Sequence, residues 1–216
     1  MKDKIIVSLN DLDDALDHES AWRRRELHLL RTDADQTKNA ANRVAMRAAV
    51  ALLYAHWEGW VKAICRNYID FVNAQRVPLR ELAPSLRGAA LKTQINELNL
   101  SNKSRIHTEF AEFISGSSMD QWREIDKNLF STESNLSATL FSDLVARIGF
   151  NGEGYELYDK LIEDLRDLRN KIAHGDHVAI KLERYREIHD TVIKICRDLS
   201  DSVRTAATSE SFRINS

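Results

Sequence analysis

The residues best suited to chemistry are gathered in Leu168-Arg169-Asn170-Lys171-Ile172-Ala173-His174-Gly175. Histidine exchanges protons near neutral pH and so suits general acid–base work. Arginine carries a fixed charge on a planar fork of donors that matches a phosphate. Together, Arg169 and His174 suit cleavage of an RNA phosphodiester. The histidine removes the proton of a 2′-hydroxyl, the oxygen attacks the adjacent phosphorus, and the arginine holds the growing negative charge. A second histidine can protonate the departing 5′-oxygen. That chemistry uses no metal, hydride carrier or prosthetic group, so no cofactor is expected.

The spacing poses a problem. Asn170 and His174 are four residues apart and share a helical face, whereas Arg169 precedes His174 by five, about 140° around an ideal helix. The arginine can bend towards the histidine, or the helix can loosen before Gly175. A second copy of the chain can also supply the missing group. In a twofold dimer, one shared cleft would hold two arginines and two histidines, a positive site in a slightly acidic protein. A plain structural reading also fits: Arg169 and His174 neutralise the carbonyl end of the helix, and Asn170 completes a hydrogen-bond network.

Long helices must position this stretch. Only 7 glycines and 2 prolines punctuate 216 residues. The net charge of −2 argues against broad coating of nucleic acid but leaves room for a small positive cleft. Cys65 and Cys196 fall within apolar helical patterns and read as buried thiols, too few for a disulfide framework or a cysteine zinc site. No apolar run is long enough to span a membrane, and Met1-Lys2-Asp3-Lys4-Ile5 opens no secretory segment. The expectation is a cytoplasmic protein with no membrane partner.

The spacing predicts a first helix over 5–30, with Asn10, Asp11, Asp13, Asp14 and Asp17 on an acidic face. Trp22-Arg23-Arg24-Arg25-Glu26 is either a solvated face or part of a positive rim. The strongest signal covers 36–74, where Val50, Leu53, Trp57, Trp60, Ile64, Tyr68 and Phe71 recur every three or four residues. Val44, Ala45, Ala48 and Leu52 are expected to widen that core stripe. Alanines at 40, 41, 45, 48, 49, 51 and 55 would admit a neighbouring helix. Glu58 can pair with Lys62 on the surface or face the polar cluster of another helix. Gly59, costly inside a helix, implies a close approach.

The region 75–150 reads as an elaboration over the bundle, with helices near 85–98, 104–115 and 137–148 and a stop at Gly149. Helices over 155–174 and 180–205 follow, with Asp176 beginning or capping the segment between them. Residues 205–216 read as a flexible tail. The fold class is therefore all-α: an antiparallel helical bundle in a single domain over 1–204, with additional helices in its middle region.

Arg169-Asn170-Lys171-Ile172-Ala173-His174 resembles the RNxxxH motif of the HEPN superfamily, and Tyr54-Ala55-His56-Trp57-Glu58-Gly59-Trp60-Val61-Lys62 resembles the upstream helix of its MAE_28990/MAE_18760-like branch. The resemblance implies a HEPN-like bundle, a homodimer with a composite active site, and metal-independent endoribonuclease activity in a toxin or antiviral defence effector. It implies Arg169 and His174 as catalytic residues, with Asn170 and Glu58 supporting them. It also implies a 2′,3′-cyclic phosphate product, tRNA or mRNA as substrate, and an antitoxin or regulatory protein as partner. The elaboration over 75–150 departs from a minimal four-helix domain. The alternative is a noncatalytic helical module that binds protein or RNA, and a weaker one is a metal enzyme using His56, Glu58 and His174.

Overall fold

The computed structural model describes residues 5–36, 40–132 and 135–214. They form eight α-helices: α1 (Leu9–Gln36), α2 (Ala40–Ala74), α3 (Pro84–Ala90), α4 (Lys92–Leu100), α5 (Ser104–Ser115), α6 (Ala138–Arg147), α7 (Asp159–Ala173) and α8 (Leu182–Thr208). Short 3-10 turns lie at Ser117–Asp120, Lys127–Phe130 and Glu156–Tyr158. The all-α class holds: among the described residues strand-like pairing is confined to two isolated bridges, Pro78 with Trp122 and Leu82 with Arg213. No described helix is long and apolar enough to cross a membrane.

Helix α2 is the axis of the molecule and packs against α1, α8, α7 and α6. Its stripe from Val50 to Phe71 is buried throughout, and Trp57 and Trp60 are core residues, as their spacing predicts. Each buried aliphatic side chain of that stripe contributes about 1.5–3 kcal/mol of apolar transfer. The ring of Trp57 meets Phe141 of α6 at 5.0 Å between centroids. Tyr185, Ile188, Val192, Ile195, Leu199 and Val203 form the matching buried stripe of α8. Cys65 and Cys196 are free and buried, and burial pushes the Cys65 thiol up to about 12 and also raises that of Cys196. The acidic face of α1 receives α8, since Arg204 bonds both Asp13 and Asp17.

Several expectations need correction. Val44, Ala48 and Leu52 do not widen the core stripe, because they lie on the far side of α2 and are exposed. Ala40 and Ala41 lie outside the residues whose side chains are described. Helix α1 runs on to Gln36, and α8 begins at Leu182 with Lys181 as its cap. The described part of the tail is docked rather than flexible. Phe212 is buried, sits edge-on to Phe71 at 5.9 Å, and its carbonyl accepts from Ala83 N at 2.8 Å. Ile214 N donates to the Glu81 carbonyl. One aromatic residue in a polar tail was enough to anchor it. Residues 215 and 216 of the expected tail lie outside the described residues.

Candidate functional site

Helix α7 owes its regularity to an apolar face. Ile162 and Leu165 are buried, and Leu168 and Ile172 pack against the core from its edge. The helix holds its geometry through Ala173, so the end does not loosen. His174 is the cap residue, with φ −81° and ψ 0°. Gly175 then takes φ +85°, where a Cβ would be strained. Gly175 N donates to the Ile172 carbonyl at 3.1 Å and Asp176 N to that of Lys171 at 2.9 Å. These are the paired bonds of a Schellman ending. They fix the backbone of His174 and leave its side chain exposed.

Arg169 is held quite differently. Its guanidinium carbon lies 4.1 Å from the centroid of the Tyr54 ring, a cation–π stack against a buried face. Burial is the main cause that raises the Tyr54 hydroxyl above the ordinary tyrosine value, while Arg169 opposes the rise. Arg169 and Ile172 of α7 and Tyr54, Ala55, Glu58 and Gly59 of α2 line an open pocket of about 410 Å³.

Glu58 faces this pocket rather than pairing with Lys62. Its carboxylate accepts a hydrogen bond from the Thr132 hydroxyl, and Thr132 is fully buried. The loop that delivers Thr132 is itself anchored ahead of α6. Ser137 Oγ accepts from Leu140 N at 3.1 Å, and Glu163 of α7 accepts from Ala138 N at 2.7 Å. The middle region thus holds one carboxylate of the candidate site.

The structure brings together two of the four expected residues, Arg169 and Glu58. Asn170 is half-buried beside the pocket but does not line it, and its carbonyl accepts from His174 N at 3.0 Å. His174 lies just past Ala173 at the pocket edge and, among the described residues, makes no side-chain hydrogen bond. The five-residue offset therefore persists within one chain. The metal grouping of His56, Glu58 and His174 is not assembled. His56 is buried on the α1 side, where Nε2 meets Glu26 at 2.7 Å and the ring lies tilted against Trp22 at 5.3 Å between centroids. Among the described residues no group of three or more histidine, cysteine or acidic side chains could hold a metal ion.

Tyr54, Thr132 and Arg23 were missed. Tyr54 was named only within the segment Tyr54–Lys62 and given no role, and Thr132 lies in a loop with no periodicity. Arg23 stood in a charged run of which Arg24 and Arg25 are exposed, yet it is itself buried. Glu19 binds its Nε and Nη2, and its guanidinium stacks on Trp22. Gly59 was the available clue: a Cβ there would stand 2.9 Å from Arg23 Nη1.

Comparison with known proteins bears on the family of the chain. No curated protein and no solved structure matched the chain. A model of the family described as RiboL-PSP-HEPN matches residues 18–205, from within α1 to within α8. That description differs from the branch which Tyr54–Lys62 resembles, and the superfamily is what the two share. The match takes in every candidate residue, and the chain belongs to the RiboL-PSP-HEPN family of the HEPN superfamily.

Proposed function

We propose that the protein is a metal-independent endoribonuclease that works as a homodimer. The observation that carries this reading is the unequal setting of the motif residues. Arg169 is stacked and preoriented in a pocket with a carboxylate, while His174 stands exposed at its rim on a rigid helix ending. A strip of exposed small and apolar residues on α2, including Ala48, Leu52 and Ala55, adjoins the pocket and suits a twofold contact between two α2 helices. Such a contact would set two copies of His174 around one cleft. HEPN membership supports the reading, since that superfamily is frequently nucleolytic.

In this mechanism His174 of one copy takes the proton from a ribose 2′-hydroxyl. The 2′-oxygen bonds to phosphorus as the bond from phosphorus to the 5′-oxygen breaks. His174 of the other copy gives the departing oxygen its proton, leaving a 2′,3′-cyclic phosphate and a 5′-hydroxyl. Arg169 stabilises the added charge on the nonbridging oxygens. Glu58, oriented by Thr132, holds the ribose or the second imidazole, and Asn170 supports the helix end. A toxin or antiviral effector acting on tRNA or mRNA, restrained by an antitoxin, accords with such an activity, and the likeness of Tyr54–Lys62 to the MAE_28990/MAE_18760-like branch belongs to the same reading.

The test is to sequence RNA ends after controlled expression of wild type and His174→Ala, alongside cleavage by purified protein in EDTA. Cyclic-phosphate ends made by wild type alone are expected, whereas equal cleavage by the folded variant would overturn the role of His174. One observation favours the alternative, a noncatalytic module binding RNA or protein: within a single chain His174 does not line the Arg169 pocket. Stable complexes with intact RNA across a broad substrate panel would establish it instead.

A further inference from the structure

The Arg169 pocket does not end at Glu58. Gly59 lines it and also lines a larger groove of about 830 Å³ between α1, α2 and the turn at Lys127–Phe130. Most charges in that groove are cancelled. Glu19 binds Arg23 at 2.8 Å and Asp70 binds Lys127 at 3.0 Å. Asp14 has an interaction of its own. Lys62 and Arg66 are the cations left over, for neither makes a hydrogen bond or ion pair with a described residue, and Arg66 Nε is buried with no acceptor. An anion in the groove would give these two cations a partner.

The helix sets where these two cations stand relative to Glu58. Glu58, Lys62 and Arg66 lie at four-residue intervals on α2, so they form one row that advances about 6 Å per step. The row starts in the Arg169 pocket and runs away from it along the groove. Where the two spaces join, Arg23 occupies the room that Gly59 leaves open. Its Nε and Nη2 are taken by Glu19, while Nη1 lies at the Gly59 surface. A line of fixed positive charge along a concave channel attracts a polyanion whose charges repeat at a similar interval.

We propose that this groove is a track for the sugar–phosphate backbone of single-stranded RNA, leading to or from the scissile phosphate. Lys62 and Arg66 each hold one flanking phosphodiester, and Arg23 holds the strand at the junction with the Arg169 pocket. The assignment rests on the ribonuclease reading and extends it. It makes the substrate a strand several nucleotides long rather than a single phosphate, and it makes binding sequence-tolerant, because phosphate contacts position a strand without reading its bases.

The test is the binding of a fluorescent, 2′-O-methylated RNA octamer to the full chain over a range of salt concentrations. Methylation removes the attacking hydroxyl, so binding is read without cleavage. Each lost phosphate contact lowers the slope of log affinity against log salt by about 0.7 for a single strand. Lys62→Gln with Arg66→Gln should weaken binding at least about tenfold at low salt and reduce that slope by about 1.4. Arg66→Lys should restore most of the slope, which separates charge from folding. Arg105→Gln, on exposed α5, should change neither quantity. A double variant with wild-type affinity and slope overturns the track, and so does a wild-type protein that fails to bind the octamer. Cleavage of the unmethylated octamer is measured in parallel. Binding with the expected slopes but no cleavage overturns the ribonuclease reading alone, while cleavage with unchanged slopes overturns the track alone.

Discussion

Arg169 and His174 lie five residues apart on one helix end and live in opposite surroundings. Arg169 is half-buried, stacked on Tyr54 and lines an open pocket with Glu58. His174 is exposed, and only its backbone is fixed, by the bonds that close α7. The first setting suits a group that must hold charge in place without reorganising. The second suits a group completed from outside the chain, by substrate and by a second copy. In the proposed dimer, the contrast turns a defect of spacing into an account of assembly: each protomer would carry a formed charge site and a proton-transfer site that its partner completes.

Substitutions at the two positions should therefore fail in different ways. His174→Ala should lower RNA cleavage the most, about 10³-fold, consistent with loss of a general acid or base. Its melting temperature should stay near wild type, because an exposed side chain is removed. Calorimetry beside a cleavage assay checks both parts. Arg169→Lys should cost about 10²-fold in turnover, since an ammonium keeps the charge but loses the fork and the flat stack. If lysine serves equally well, the preoriented fork is not what matters.

The stack offers a finer cut. Tyr54→Phe keeps the aromatic face and should stay within about threefold of wild type, whereas Tyr54→Leu should lower cleavage by about 5–30-fold, the equivalent of about 1–2 kcal/mol of cation–π attraction. Equal activity of the two variants would show that Arg169 needs no ring beneath it.

His56 sharpens the contrast as the buried counterpart of His174. Burial is the main cause that depresses it below the usual histidine value, Arg23 adds to the effect, and Glu26 opposes it. The unfolded chain then takes up this proton at a higher pH than the folded one. The stability contributed at His56 is thus complete above about pH 6.5, the ordinary histidine value, and is lost as pH falls below it. Thermal melts between neutral and mildly acidic pH should show a falling melting temperature, with a smaller fall for His56→Gln. This is the smallest of the expected effects, and an equal fall in both proteins would remove His56 from the account.

The legible and illegible parts of the structure differ for physical reasons. The buried stripes of α2 and α8 stood out because a core helix must repeat its apolar residues every three or four positions. The end of α7 was also readable, since Gly175 supplies the positive φ which a Schellman ending requires. Val44, Ala48 and Leu52 were misplaced because small and apolar residues at helical spacing read as core, although this face of α2 is exposed. Thr132 was invisible because its bond to Glu58 joins residues 74 apart, with no local pattern to mark it. Phe212 was lost in a polar tail for a similar reason, its partners being Phe71 and the segment at Glu81–Ala83. Gly59 did announce a close approach, though not that a buried arginine made it.

The central claim is that one working site draws on two chains, and mixing tests it most directly. Wild type and His174→Ala are each purified, then combined in equal amounts under conditions where subunit exchange is verified. A mixed dimer keeps only one of the two imidazoles that the cleavage step uses, so RNA cleavage in EDTA should fall to about a quarter of that given by the same total amount of wild type. Cleavage that falls only in proportion to the wild-type chain present, to about half, would contradict the composite site.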